Sequence, residues 1–72
     1  MTAADQERLG AAIRAARLRL TLHQAELGAR ACVDQSYVSK IERGLRPMNL
    51  DTLRRIAAAL DTTPAALLGG VQ

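Results

Sequence analysis

The chain has 72 residues, a net charge of +3 carried by nine Arg and one Lys against seven acids, and a single aromatic residue, Tyr37. A chain this short buries only roughly 60% of the surface its unfolded form exposes, so an internal catalytic cleft is not expected and the core must be assembled from Leu, Ile, Val and many Ala. One cysteine, Cys32, and one histidine, His23, exclude an internal disulfide framework and cannot by themselves close a structural zinc site, so neither metal nor cofactor is expected.

The start, MTAADQERLG, lacks the basic and then apolar order of a signal peptide. No stretch approaches the roughly 18 apolar residues of a membrane span, and a cytoplasmic protein is expected. Leu9, Ala12, Ile13, Ala16 and Leu20 recur at spacings of three and four, which predicts one apolar helical face over about residues 3–19, with Thr2 as its cap. A short helix over Gln24 to Ala31 follows, with His23 at the N-cap, Glu26 at the third helical position and Leu22 stapled to Leu27. Asp34 caps a third helix, about Gln35 to Arg43, with Val33 packing on Val38 and Gly44 as the stop. Pro47 marks a loop, and Asn49 caps a fourth helix whose expected buried face is Leu50, Leu53, Ile56, Ala57 and Leu60. Thr63 and Pro64 open a last short turn carrying Leu67 and Leu68. The expected architecture is all-α: five helices in one domain over residues 1–72, with its core over about residues 9–68.

On a wheel of about 100° per residue, the third helix divides sharply. Val38, Ile41 and Glu42 fall on one side and Ser36, Ser39, Lys40 and Arg43 on the other, while Gln35 and Tyr37 flank the polar side near the helix start. Amide, hydroxyl, phenol and cation together match what base edges and phosphates accept in a DNA major groove, which is wide enough to admit an α-helix. Tyr37 is either part of that display or a cover over the junction of the second and third helices. Ser36 and Ser39 have no His base within reach, and His23 lacks a nucleophile partner, so an enzyme is not expected.

The set Arg17, Leu22, Gln24, Glu26, Leu27, Val33, Ser36, Val38, Ser39, Ile41, Glu42, Arg43, Gly44, Pro47, Leu53, Ile56, Ala57 and Leu60 resembles the lambda-repressor-like, or Xre-type, helix-turn-helix family. SYVSKIERG is the most specific part of it, because it joins core, loop and charged positions at fixed spacing. The resemblance implies a compact five-helix bundle whose second and third helices form the helix-turn-helix, with the third in the major groove of double-stranded DNA. Carried over position by position, Gln35, Ser36, Tyr37, Ser39 and Lys40 are the candidates for reading bases, Gln35 foremost because an amide can pair bidentately with adenine. Gln24 is the candidate for a phosphate at the start of the second helix, Arg43 and Arg46 for the backbone. Arg17 and Glu42 match a structural pair between the first and third helices, and Arg17 is also a candidate for a phosphate.

His23 stands where the family commonly has Ser or Thr, Cys32 where the turn commonly has Gly, and Thr21 where the first helix commonly ends in Gly. Structural roles are expected for His23 and Cys32, with pH sensing by the imidazole and redox sensing by the thiol as competing readings. The reading is a transcriptional regulator working as a homodimer on a two-fold operator, because one such domain contacts too few base pairs for specificity. The surplus apolar groups Leu67, Leu68 and Val71 are candidates for the dimer contact, with closing the core as the competing reading for Leu67 and Leu68, and RNA polymerase or an effector domain is a further candidate partner. Alternatives on the same fold are an antitoxin that neutralises a protein, a restriction-modification controller protein, and the DNA-binding half of a longer regulator.

Overall fold

The computed structural model describes residues 2–69, which among them form five helices and no strand. These are α1 (Ala3–Arg19), α2 (Gln24–Ala31), α3 (Gln35–Glu42), α4 (Leu50–Ala59) and α5 (Pro64–Leu68). No described helix is long and apolar enough to cross a membrane.

Each helix begins where a local signal satisfies its free N–H groups. Thr2 Oγ1 accepts from the Asp5 N–H at 3.1 Å while the Thr2 N–H donates to the Asp5 carboxylate at 3.2 Å, a reciprocal capping box. Hydrogen bonding to the carboxylate from the Thr2 backbone, and then from the Thr2 side chain, holds the Asp5 carboxyl below its usual pKa. The His23 N–H donates to Glu26 Oε1 at 2.9 Å, so the second half of a capping box survives the replacement of Ser or Thr. Asn49 Oδ1 accepts from Thr52 at 2.8 Å, and Thr63 Oγ1 from Ala66 at 3.1 Å. Asp34 occupies the N-cap position of α3 with extended backbone, but its carboxylate makes no cap hydrogen bond. Its charge still faces the positive end of the helix dipole.

The ends of α1 to α4 share one geometry. Leu22, Val33, Leu45 and Thr62 each donate a backbone N–H to the carbonyl five residues back, that of Arg17, Gly28, Lys40 and Ala57. This is the Schellman closure, which needs a left-handed residue just before the donor. Thr21 (φ 54°), Cys32 (φ 58°), Gly44 (φ 73°) and Asp61 (φ 55°) supply it. Only Gly44 is free of a Cβ penalty there; Thr21, being β-branched, is the most strained of the four.

α1 packs against α3 and α5, α2 against α3 and α4, and α4 against α5. Leu9, Ile13, Leu27, Val38, Ile41 and Ile56 are fully buried at the centre. Gly10 brings α1 onto the end of α3 so closely that a Cβ would fall on the carbonyl oxygens of Ile41 and Glu42.

Two residues assigned to buried faces lie outside. Leu20 is the C-cap of α1, where the helical repeat no longer sets side-chain direction, and it is 37% exposed. Leu50 is the first residue of α4 and 54% exposed. Helical side chains lean toward the N-terminus, so a first-turn leucine projects off the helix end instead of into the core.

Candidate nucleic-acid interface

The closures of α2 and α3 present one face of α3 outward. Val38, Ile41 and Glu42 anchor the helix inside. Ser36, Lys40 and Arg43 form an exposed stripe at spacings of four and three, with Gln35 exposed beside it on the first turn and Ser39 half-buried at its edge. Gln35, Ser36 and Lys40 make no side-chain hydrogen bond or ion pair among the described residues. Arg43 Nε only leans back to the Ser39 carbonyl at 3.3 Å. An amide, a hydroxyl and a cation thus stand on α3 with their hydrogen-bonding capacity unspent, Arg43 at the C-cap adds a second cation, and the helix, about 10–12 Å across, suits a groove about 12 Å wide.

Behind this face lies a network closed on itself. Arg17 Nε donates to Glu42 Oε2 at 2.7 Å and Arg17 Nη2 to Glu42 Oε1 at 3.0 Å, a forked pair, while Arg17 Nη1 donates to the Leu22 carbonyl at 2.8 Å. Both residues are buried. The hydrogen bonds to Glu42, and then its charge, push the Arg17 pKa up, against the opposing effect of burial. Gln24, half-buried at the first position of α2, completes the set by donating Nε2 to Glu42 Oε1 at 3.1 Å. The Arg17 guanidinium is thus committed to Glu42 and the Leu22 carbonyl, and it lines a cleft with Arg14, Gln24, Ser39, Glu42 and Arg43. Glu42 holds the start of α2 and the end of α3 to α1 in one arrangement.

Tyr37 takes the second of its two readings. Its ring is half-buried against the core, and its hydroxyl donates to the Pro47 carbonyl at 3.2 Å, so it braces the loop after α3, as the covering alternative has it. Arg46 lies over the ring, 5.7 Å from its centre to the guanidinium carbon, which sets this loop cation beside the exposed face. Of the cations not on α3, Arg30 and Arg55 reach the Ala59 and Cys32 carbonyls, where they cover helix ends.

Cys32 is exposed in its left-handed turn, and His23 is exposed at the start of α2. Among the dimer candidates, Leu67 is only 4% exposed and belongs to the core, which corrects that assignment. A leucine on a five-residue helix serves the core first, because it anchors α5 against α1 and α4. Leu68 is half-buried against the same core, and Val71 lies outside the described residues. Among the described residues, the large apolar side chains left exposed are Leu18, Leu20, Leu45 and Leu50. Sequence reading also passed over Arg14, which stands one turn before Arg17 and shares a cleft with Gln24, Ser39 and Arg43. The three-residue spacing from Arg17, once Arg17 is paired to the end of α3, is the signal that would have found it.

The family model described as helix-turn-helix matches residues 13–67. The fold is similar to the restriction-modification controller protein C.AhdI from Aeromonas hydrophila, at 36% identity over 89% of this chain and 97% of that one, with a TM-score of 0.87. It is similar as well to the clp gene regulator ClgR from Corynebacterium glutamicum, at 30% identity over 92% of this chain and 70% of that one, with a TM-score of 0.88. A second controller protein, C.Esp1396I, shares the fold at 23% identity over 92% of this chain and 85% of its own, with a TM-score of 0.82. No curated protein matches the sequence.

Proposed function

The chain belongs to the lambda-repressor-like (Xre-type) helix-turn-helix family, and from that premise we propose that it is a cytoplasmic transcriptional regulator that binds a two-fold DNA operator as a homodimer, with α3 in the major groove. The observation that carries this reading is the exposed row Gln35, Ser36, Lys40 and Arg43. The first three have no partner within the described residues, on a helix whose other side is buried. Gln35, Ser36, Ser39 and Lys40 read base edges. Arg43 and Arg46 hold the sugar-phosphate backbone and fix register without reading sequence. Gln24 presents a carboxamide, oriented by Glu42, at the start of α2, where free N–H groups favour a phosphate. The likeness to C.AhdI and to ClgR supports control of gene expression over any enzymatic role.

One such domain contacts too few base pairs to find its site in a genome, which is the reason to expect two copies. Selection of bound duplexes from a random pool tests the whole reading. It should return an inverted repeat with half-sites centred about 10 bp apart or a multiple of that, bound by two chains in sedimentation equilibrium. Single half-sites bound by monomer would remove the dimer, and no preferred sequence would remove the regulator.

A further inference from the structure

Between the end of α2, the start of α3 and the first turn of α4 lies an open cleft of about 600 Å³, whose lining includes Ala29, Cys32, Val33, Asp34, Tyr37 and Thr52. The turn that carries Cys32 is held twice. The Val33 N–H closes onto the Gly28 carbonyl at 2.9 Å, and Arg55 of α4 donates to the Cys32 carbonyl at 3.4 Å. A free, exposed thiol is thereby fixed beside this cleft.

Thr52 is a second and independent sign of a ligand. The residue is only 7% exposed and its backbone N–H is taken by the Asn49 cap, but its hydroxyl makes no hydrogen bond among the described residues. No described side-chain polar atom is both sealed from solvent and without a partner, so this hydroxyl reaches solvent, and the cleft that Thr52 lines is its opening. Its donor is available to an acceptor held there. Ala29, Val33 and the Tyr37 ring supply apolar wall, and the one charged residue of the lining is Asp34, whose carboxylate makes no cap hydrogen bond. An anionic ligand is repelled by it. A nucleophilic sulfur, an unspent donor and apolar walls without a cation fit a small neutral compound that is electrophilic at carbon and carries an acceptor oxygen. We infer that Cys32 is a covalent modification site for neutral α,β-unsaturated carbonyl compounds, with the Thr52 hydroxyl holding the carbonyl oxygen.

The step is an addition that needs no oxidant or reductant. The Cys32 thiol gives its proton to solvent, and Sγ attacks the β-carbon, forming a C–S bond. The electron pair of the C=C bond moves toward the carbonyl oxygen, where the Thr52 hydroxyl donates to the developing charge. The α-carbon then takes a proton from water, which replaces the one released.

The test follows adduct formation by mass spectrometry with cyclohexenone as the neutral probe and acrylate as the anionic one. A peptide of residues 29–35 supplies the same thiol without the cleft. Cyclohexenone should modify Cys32 in the folded protein about tenfold faster than in the peptide, while acrylate should gain nothing from the fold. Thr52→Val should slow the protein's reaction with cyclohexenone about fivefold, one hydrogen bond's worth, and Thr52→Ser should restore it. Reaction with methyl methanethiosulfonate, which has no carbonyl to hold, should be the same in all three proteins. A folded protein no faster than the peptide would reduce Cys32 to an exposed thiol and overturn the site. Equal slowing of both reagents by Thr52→Val would show a disturbed turn and remove Thr52 from the site, and an equal gain for acrylate would remove the preference for neutral compounds.

Discussion

The seam where α1 meets the end of α3 and the outward face of α3 use the same kinds of side chain, yet they are opposites in state. In the seam, Arg17, Glu42 and Gln24 satisfy one another at 2.7 to 3.1 Å. On the outward face, Gln35, Ser36 and Lys40 satisfy nothing in the protein. Arg14 and Arg17 make the contrast within one turn of one helix, the first open and the second enclosed. The difference teaches that a cation's role here is decided by whether an acid reaches it, not by its charge or its helix. Enclosed polar groups hold the fold in one arrangement, and unspent ones are available to a partner.

The largest effect should come from breaking the seam on one side. Glu42→Ala leaves the Arg17 guanidinium buried and unpaired, and should cost about 3–5 kcal/mol in urea unfolding. Lys40→Ala on the outward face should stay within about 0.5 kcal/mol. Equal losses would mean that the seam is worth no more than the surface.

Next in size is the outward face itself. Gln35→Ala should lose about 1–3 kcal/mol of affinity on the preferred duplex and relax the choice of base at one position per half-site. Its melting temperature should not move. A loss shared equally with scrambled DNA would assign Gln35 to the backbone.

A third variant strengthens the seam. Thr21 holds a left-handed conformation in the turn that delivers the Leu22 carbonyl to Arg17. Thr21→Gly should relieve that conformation and stabilise the protein by about 1 kcal/mol in the same unfolding measurement. Destabilisation would show that the chain tolerates the conformation without cost.

Tyr37 belongs to neither region, and Tyr37→Phe tests its hydroxyl alone. Losing the hydrogen bond to the Pro47 carbonyl should lower stability by about 0.5–1.5 kcal/mol and leave base preference intact, because the ring remains under Arg46. A changed base preference with an unchanged melting temperature would return Tyr37 to the reading face.

Helix positions were legible in the sequence because their signals are local. Thr2 with Asp5, His23 with Glu26, Asn49 with Thr52 and Thr63 with Ala66 each act across three residues, and such spans can be read from spacing alone. The two faces of α3 were equally legible, since a period near 3.6 separates Val38 and Ile41 from Ser36 and Lys40 without any knowledge of neighbours. The pairing of Arg17 with Glu42, across 25 positions, came from family resemblance. Only the tertiary structure decided the rest. Leu20 and Leu50 fit apolar faces by spacing, but face outward because one closes its helix and the other opens it. Tyr37 carries a polar neighbourhood in sequence, but turns onto a carbonyl ten residues away. Leu67 resembles a surplus apolar group until α5 is seen to need it as its anchor in the core. Arg14 shares a cleft with Gln24 and Arg43 only once α1, α2 and α3 have packed. Capping and periodicity depend on residues within a turn or two of each other, whereas burial, pairing and convergence depend on which distant residues the packed helices bring within about 4 Å.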